Sequence, residues 1–308
     1  MSKKALVLGG AGFIGSAISK GLLRKGYEVT IVDNLETGNL RLLPKEGYDF
    51  INLDVTSSEF LEKTKGIDFD YIFNFGSYSS DRFFNFDGDA VYKTIKGMLN
   101  VIKLAESSSC RSVVYPSSGT VYGNSKPPQK EVDNVKPKSM YACTKLFLEN
   151  FTSTLSDGIN YVGLRIFTGY GEGEIFKGDM ASVVTLFFKS IKRGEKVVIY
   201  GDGTQKRDFV YVEDIADIAI KAAEKEVSGV LNVGSGQSTS FNDLIKMLSE
   251  ALNTNAKVVY IKSPIPWIQE TKADITKLKK FMNYSPTPLS EGIVKLISGV
   301  SKLDESWV

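Results

Sequence analysis

The sequence contains no histidine among its 308 residues. Histidine is the side chain that most often acts as a general base near neutral pH, and it is the commonest metal ligand. Its absence excludes a triad built on histidine and a histidine-based metal site, and we expect no metal. Any acid–base chemistry must therefore use tyrosine, lysine, aspartate or glutamate.

Cysteine is also scarce, since Cys110 and Cys143 are the only two, too few for a disulfide framework. The apolar stretch after Lys3 and Lys4 is interrupted by glycines and does not predict a signal peptide. No stretch approaches the roughly 20 apolar residues of a membrane span. The 38 basic and 36 acidic residues give a net charge of +2, which provides no electrostatic case for nucleic acid. We expect a cytoplasmic protein that binds neither membranes nor nucleic acid.

Short apolar strands alternate with helices through the first half of the chain. Strands are predicted at 5–9, 28–33, 49–55, 70–75, 112–117 and 160–167, and helices at about 13–25, 58–65, 88–107 and around 139–145. This alternation predicts a parallel sheet that is covered on both faces. We therefore expect an α/β fold, a Rossmann-type doubly wound domain over residues 1–167.

The alternation loosens after Phe167. Short strands (197–200, 230–233) mix with helices (about 179–193, 213–225, 240–252), and prolines indicate loops at 264–266 and 285–288. This pattern predicts a smaller mixed C-terminal lobe over residues 168–308, some segments of which return to the sheet.

The segment GGAGFIG, residues 9–15, follows the first predicted strand and opens the first predicted helix. Glycine lets a backbone approach a pyrophosphate closely, and the helix N-terminus offers free N–H groups to it. Within a βαβ unit the pattern predicts a dinucleotide site. The expected contacts are Gly9, Gly12, Phe13, Ile14 and Gly15.

Acidic residues follow the second and third strands. Asp33 lies 18 residues after the last glycine of the loop. A carboxylate there accepts hydrogen bonds from the adenosine ribose and repels a 2′-phosphate, which favours NAD over NADP. Asp54 is placed to reach the adenine amino group, although it could instead cap a helix or close a turn. The other expected cofactor contacts are Asn34 and Val55 at these strand ends, and Gly76 and Ser77 after the fourth strand.

SMYACTK, residues 139–145, places Tyr141 and Lys145 four positions apart, on one face of a helix. A tyrosine alone is a poor base at neutral pH, because its pKa is about 10. A neighbouring ammonium group favours the phenolate and lowers that pKa. Taken alone, the pair also fits an ordinary helix surface. Cys143 lies on another face, and we interpret it as a packed small residue.

These segments together resemble the extended short-chain dehydrogenase/reductase family, specifically its nucleotide-sugar epimerases. The resemblance runs from the N-terminus to about residue 300. The motifs that carry it are GGAGFIGS (9–16), Asp33, Asp54, PSSGTVYG (116–123), YACTK (141–145), LRIFTGYG (164–171), GDGTQKRDFVYVEDI (201–215) and NVGSG (232–236).

The resemblance implies NAD as the cofactor and Ser118, Tyr141 and Lys145 as the catalytic set. Tyr141 would be the base and acid, and Lys145 would bind the nicotinamide ribose and lower the tyrosine pKa. Ser118 would hydrogen-bond the reacting sugar hydroxyl, and Phe167 would contact the cofactor. A nucleotide-diphosphate sugar is the implied substrate, and a homodimer built through a helix bundle is the implied assembly. The implied substrate contacts are Ser118, Thr120, Tyr141, Thr168, Lys177, Tyr200 and Arg207.

Two epimerase types stay open. GDGTQKRDFVYVEDI is similar to the segment with which UDP-hexose 4-epimerases hold a nucleoside diphosphate, and Arg207 would contact the diphosphate. That arginine could instead pair with Asp208 at the surface. GEGEIFKGDMASVV, 171–184, resembles ADP-heptose 6-epimerases, in which the lysine that matches Lys177 is a second acid/base. The 4-epimerase is the leading interpretation.

Two further readings are less favoured. Dehydratases of the family carry an Asp-Glu pair where this chain has Gly119 and Thr120, so no carboxylate is present there for elimination. A non-catalytic dinucleotide-sensing module would not need a tyrosine–lysine pair. The departures from the family pattern are Leu8 for Thr, Thr94 and Thr168 for Asn, and NFGSYSSDRFF (74–84) for a His-Leu-Ala-Ala type of segment. They leave the identity of the sugar open.

Overall fold

The computed structural model describes residues 2–84, 88–155, 158–262 and 268–303, so the loop predicted at 264–266 lies outside the described residues. The described α-helices are α1 (Phe13–Arg24), α2 (Glu59–Lys63), α3 (Asp89–Glu106), α4 (Met140–Thr152), α5 (Val183–Lys192), α6 (Val212–Glu224), α7 (Phe241–Ala251), α8 (Thr276–Met282) and α9 (Leu289–Leu303).

The strands are β1 (Lys4–Leu8), β2 (Glu28–Asp33), β3 (Tyr48–Asn52), β4 (Tyr71–Asn74), β5 (Ser112–Ser118), β6 (Asn160–Ile166), β7 (Thr168–Tyr170), β8 (Lys196–Tyr200), β9 (Lys206–Arg207), β10 (Phe209–Tyr211), β11 (Gly229–Val233), β12 (Thr239–Ser240) and β13 (Lys257–Ile261).

Seven strands form one parallel sheet in the order β11-β6-β5-β4-β1-β2-β3. The strand order reverses between β1 and β4, and a crevice at the carboxyl ends of the strands opens at such a point. The predicted Rossmann-type α/β fold is confirmed.

The central strands β1, β4, β5 and β6 are buried on both faces, which explains why they are almost continuously apolar, whereas the edge strand β3 is only half-buried. One face packs against α1 and α6, with Ile18, Leu22 and Ile220 in its core. The other face packs against α2, α3 and α4, with Phe60, Val101 and Leu148 in its core. These two layers hold the carboxyl ends of β1, β4 and β5 at one rim of the sheet.

The C-terminal half of the chain builds a further cluster of buried side chains around α5, α7 and α9, which includes Phe188, Leu244 and Leu296. Three two-stranded sheets accompany it, formed by β7 with β10, β9 with β12 and β8 with β13. β11 leaves this region and pairs with β6 in the large sheet. The loop predicted at 285–288 lies between α8 and α9, as expected.

None of the helices in the described ranges combines the length and the apolar character that crossing a bilayer requires. Neither cysteine is in a disulfide. Cys110 is buried, whereas Cys143 is exposed on α4. Our interpretation of Cys143 as a packed residue was therefore wrong, because the helix turns that position away from the buried face of Tyr141 and Lys145.

Candidate active site

Two cavities lie at the carboxyl rim of the sheet. The smaller one, about 90 Å³, lies over the ends of β1, β2 and β4. The larger one, about 490 Å³, runs from the glycine loop to the end of β5 and to the lobe. We call them the adenosine-side cavity and the catalytic cleft.

The glycine loop forms the floor that the two cavities share, because Gly9 and Gly12 line both. Gly9 has φ +66°, a conformation that favours glycine. A Cβ on Gly15 would lie 2.0 Å from the carbonyl oxygen of Gly9, and a Cβ on Gly9 would lie 2.5 Å from that of Phe75. The loop therefore depends on glycine to stay tight, and Phe13, Ile14 and Gly15 line the catalytic cleft beside it. This cradle fits a dinucleotide pyrophosphate.

Asp33 lines the adenosine-side cavity at the end of β2. Its carboxylate accepts hydrogen bonds from the N–H groups of Ala11 (2.9 Å) and Leu35 (2.8 Å). Each carboxylate oxygen has more than one acceptor position, so a ribose hydroxyl can still bind. Asp33 thus also holds the glycine loop against β2, a second role that its place in the sequence did not reveal.

Asp54 lines the same cavity and also closes a turn. It accepts bonds from the amide and the hydroxyl of Thr56, both at 2.7 Å, and from the Asn34 amide at 3.0 Å. Burial raises the pKa of Asp54, but these bonds outweigh burial and leave the pKa below its ordinary value. The turn and the position on the cavity, which the sequence presented as alternatives, coexist. Four other predicted cofactor contacts, Asn34, Val55, Gly76 and Ser77, also line this cavity.

Ser118, Tyr141 and Lys145 are brought together at the end of β5 and in the first turns of α4. The hydroxyl of Ser139 caps α4 by accepting a bond from the Ala142 N–H at 3.2 Å, which fixes where the helix begins. Ser118 and Tyr141 line the catalytic cleft. Lys145 is only 1% exposed, and its Nζ donates to the Ser77 hydroxyl at 3.1 Å and lies 5.5 Å from the centre of the Tyr141 ring.

In the protein without its cofactor, the pKa of Tyr141 is raised and not lowered, so the lowering by Lys145 and the oxidised nicotinamide stays a prediction. Burial raises the pKa of Tyr141 to about 12, and the nearby Ser118 hydroxyl offsets this only in part. Burial also lowers the pKa of Lys145 to about 8. The reason is that both groups are removed from water, and the ammonium is directed to Ser77.

A buried ion pair supports this wall of the cleft. Glu149, on α4, binds Arg165 of β6 through two bonds, at 3.0 and 2.7 Å, and both side chains are about 5% exposed or less. Glu149 also accepts a bond from the hydroxyl of Ser117, the residue before Ser118. Arg165 donates to the Tyr122 hydroxyl at 3.0 Å, which in turn donates to Asn232 of β11 at 2.6 Å. The network therefore joins α4 to three neighbouring strands.

The opposite wall of the cleft comes from the lobe. Phe167 and Thr168 line it, and so do Glu174 and Lys177 on a 3-10 segment, Glu172–Met180. Glu174 accepts bonds from the Ser182 amide (2.8 Å), the Ser182 hydroxyl (2.7 Å) and the Thr185 hydroxyl (2.6 Å). The Lys177 Nζ lies 5.7 Å from the centre of the Phe13 ring. Lys177 therefore shares a cleft with Tyr141 and Ser118.

Of the other predicted substrate contacts, one lines the cleft and two lie outside it. Thr120 lines the cleft and donates to the Ser118 hydroxyl at 2.9 Å. Tyr200 is 53% exposed at the end of β8, and Arg207 lies on β9 over the Phe241 ring; neither lines the two cavities described above. Asp208 accepts bonds from Ser235, Gly236 and Ala273. No ion pair joins Arg207 to Asp208 within the described residues, so the alternative of a surface pair was wrong.

Among the cavity-lining residues that sequence reasoning missed are Glu36, Thr37, Tyr78 and Lys93. Tyr78 lies in NFGSYSSDRFF, which we singled out only as a departure from the family pattern. That departure was the one available signal. The sequence holds no such signal for Glu36 and Thr37, which lie in the loop after β2, or for Lys93 on α3, because none of them belongs to a motif.

Comparison with known proteins gives a consistent result. The model of the NAD-dependent epimerase/dehydratase family matches residues 5–234. A protein of Methanocaldococcus jannaschii described as a putative UDP-glucose 4-epimerase is 30% identical over 303 residues, which cover 95% of this chain and 97% of that protein.

Solved structures include both epimerase types. The UDP-glucose 4-epimerase of Thermotoga maritima, solved with UDP-glucose, has a TM-score of 0.91 and 29% identity, and the match covers 97% of this chain and 99% of that one. The ADP-L-glycero-D-manno-heptose-6-epimerase of Helicobacter pylori has a TM-score of 0.88 and 30% identity, with 97% and 96% covered.

Proposed function

This chain belongs to the NAD-dependent epimerase/dehydratase family, and we propose that it is a UDP-hexose 4-epimerase. It is an NAD-dependent nucleotide-sugar epimerase, and NAD is its cofactor. One observation carries the proposal: Ser118 and Tyr141 line one cleft together with the glycine loop. A sugar hydroxyl in that cleft therefore meets a proton acceptor beside the dinucleotide cradle. The lobe is proposed to bind the nucleotide.

Each catalytic side chain has one task in this proposal. The phenol oxygen of Tyr141 takes a proton from the sugar hydroxyl and later returns it. Ser118 hydrogen-bonds the same hydroxyl, and its own orientation is set by Thr120. Lys145, held by Ser77, adds positive charge beside the Tyr141 ring. Bound NAD supplies the hydride acceptor and a further positive charge, which favours the phenolate.

Elimination and a purely sensory role are less well supported. Gly119 packs on Phe167, and a Cβ there would lie 3.3 Å from ring carbons. An acidic side chain at Gly119, as dehydratases of the family carry next to the catalytic hydroxyl, would require the ring to move. A sensor would have no use for the buried Tyr141 and Lys145, whose burial costs stability.

The test is a panel of UDP-, ADP-, GDP- and dTDP-sugars incubated with the purified protein, with products resolved by NMR. We expect UDP-glucose and UDP-galactose to interconvert. Turnover of an ADP-heptose without turnover of either UDP-hexose would overturn the proposal.

A heptose-type 6-epimerase is the second candidate, favoured by the position of Lys177 in the same cleft as Tyr141. In that case Lys177→Ala abolishes epimerisation while binding of the sugar nucleotide and reduction of NAD persist. If the protein is a 4-epimerase, the Lys177→Ala variant retains most of its turnover. Lys192→Ala, at the exposed end of α5, is the matched control.

We also propose a homodimer that forms through α3 and α4. Both helices expose large apolar side chains: Tyr92 (63%), Leu99 (38%), Met140 (38%) and Phe147 (46%). Covering such side chains is favourable in proportion to the apolar area removed from water. Light scattering should give twice the chain mass of 33.9 kDa, and Phe147→Glu should halve it. Val132→Glu, at an 89% exposed loop position, should not. A monomer at micromolar concentration would contradict the dimer.

A further inference from the structure

The adenosine-side cavity and the catalytic cleft meet at a junction that both share. Seven residues line both: Gly9, Gly12, Glu36, Thr37, Phe75, Ser77 and Tyr78. A dinucleotide that places its adenosine in one cavity and its nicotinamide in the other must pass through this junction. Its floor is the glycine loop, so the other residues at the junction are the ones placed to cover the cofactor.

A hydrogen bond connects two loops at this junction. The Tyr78 hydroxyl donates to the Glu36 carboxylate at 2.7 Å. Glu36 lies in the loop after β2, and Tyr78 lies in the loop after β4, on the two sides of β1 in the sheet. The bond therefore spans the line along which the strand order reverses, above which a dinucleotide lies in this kind of fold.

The tyrosine in this bond is held from two sides. Its ring stacks on Phe83 with the ring centres 4.8 Å apart. The Lys93 Nζ donates to the Tyr78 hydroxyl at 3.4 Å and lies 5.8 Å from the ring centre. Lys93 is itself paired with Asp89 at 3.0 Å, one helical turn earlier on α3. The hydroxyl is thus positioned before it meets Glu36.

The charges of Glu36 and Lys93 are compatible with a hydrogen bond that closes over a pyrophosphate. A lone carboxylate at the junction would repel phosphate, but Glu36 is bound to a hydroxyl that also contacts the Lys93 ammonium. Burial raises the pKa of Tyr78, and Glu36 raises it further, so the tyrosine remains a donor at neutral pH. Opening the bond would leave the Glu36 carboxylate at the junction without its hydroxyl partner.

We infer that Glu36, Tyr78 and Lys93 form a clasp that retains the bound dinucleotide, so that NAD leaves only after the Glu36–Tyr78 bond opens. The inference concerns the cofactor and is independent of which sugar the enzyme converts. It gives a role to part of the segment 74–84, whose sequence departs from the family pattern. It also suits a cofactor that is regenerated in each catalytic cycle and need not exchange.

The experiment measures cofactor release directly. Protein loaded with NADH is mixed with a large excess of NAD, and the loss of bound-nicotinamide fluorescence gives the release rate. Tyr78→Phe keeps the ring on Phe83 but removes the donor, and we expect release at least about tenfold faster, the scale of a hydrogen bond to a charged group. Tyr260→Phe, at a 52% exposed position on β13 whose hydroxyl bonds to Asn242 away from both cavities, should stay within twofold of the wild type.

A double-mutant cycle separates a clasp from two independent contacts. Glu36→Ala should speed release as much as Tyr78→Phe, and the double variant should be no faster than the faster single, because both act through one bond. Glu36→Gln keeps an acceptor and should restore part of the retention. Release within twofold of the wild type in Tyr78→Phe, or additive effects in the double variant, would overturn the clasp. Melting temperatures confirm that each variant is folded.

Discussion

The two walls of the catalytic cleft each carry one lysine and one buried glutamate, but they treat these charges differently. On the α4 wall, Lys145 is fixed to Ser77 and Glu149 is paired with Arg165. On the lobe wall, Glu174 is held by hydroxyl and amide donors, and Lys177 lies over a ring. The glutamate of the α4 wall is neutralised by an arginine, whereas the glutamate of the lobe wall is held by neutral hydrogen-bond donors. Burial raises the pKa of Glu174, so the lobe wall can change its charge when this carboxylate takes up a proton.

The largest expected effect follows from breaking the ion pair of the α4 wall. Glu149→Ala leaves the Arg165 guanidinium buried without its partner, and we expect a loss of about 3–5 kcal/mol in unfolding free energy. Chemical denaturation measures it. The control is Glu226→Ala, which breaks a half-exposed pair with Arg111 and should cost less than about 1 kcal/mol. Similar losses of unfolding free energy in the two variants would show that the buried pair contributes no more than the half-exposed one.

Removing the phenol oxygen tests whether the chemistry resides on the α4 wall. Tyr141→Phe keeps the ring that packs edge-on against Phe84, 5.2 Å between centres, but leaves no proton acceptor. We expect turnover to fall at least about 100-fold, or about 2.7 kcal/mol, with normal NAD content. The measurement is turnover by NMR beside cofactor content by absorbance. Near-normal turnover would show that a group other than Tyr141 accepts the proton.

Lys145 should cost the native state stability at neutral pH. Burial lowers its pKa from 10.5 to about 8, so the folded protein disfavours the proton that the unfolded chain holds. The cost is complete below pH 8 and disappears as pH rises to about 10.5, where the unfolded chain also loses the proton. After subtracting the lost bond to Ser77, we expect Lys145→Met to be about 2 kcal/mol more stable at pH 7. Paired melts at pH 7 and 10.5 check this, and a pH-independent difference would refute it.

The smallest effect is expected on the lobe wall. Burial raises the pKa of Glu174 above 4.5, so wild-type stability should fall as pH rises from 4.5 through that raised pKa. Glu174→Gln can keep its contacts because the Ser182 and Thr185 hydroxyls can rotate. We expect a gain under about 1 kcal/mol at pH 7 that shrinks towards pH 4.5. Melting curves over this range measure the difference in stability between the variant and the wild type. A gain that grows as the pH falls would contradict the prediction.

The sequence predicted the sheet and the glycine loop well because those signals are local. The strand at 28–33 and the helix that begins at Phe13 follow directly from apolar runs and glycines. Tyr141 and Lys145 face the same way because they are four residues apart on a helix. Local spacing could not give the pKa of Tyr141, because that value depends on how completely the fold buries the group.

Other features depend on contacts between distant residues. β7 and β10 have three residues each, too few to show a period, and they form only by pairing with each other. The bond between Glu36 and Tyr78 joins residues 42 positions apart. α9 is a different case, since Ile293, Leu296 and Val300 recur at helical spacing and we did not use that signal.

The return of β11 to the large sheet has a consequence for biosynthesis. β11 pairs with β6 residue by residue, from Val162 with Gly229 to Ile166 with Val233. A nascent chain that has emerged only as far as residue 167 therefore presents β6 as an open, apolar edge strand, the kind of surface that invites aggregation. The sheet is therefore completed only after residues 229–233 have been synthesised, so the order of synthesis and the order of the strands in the sheet do not match here.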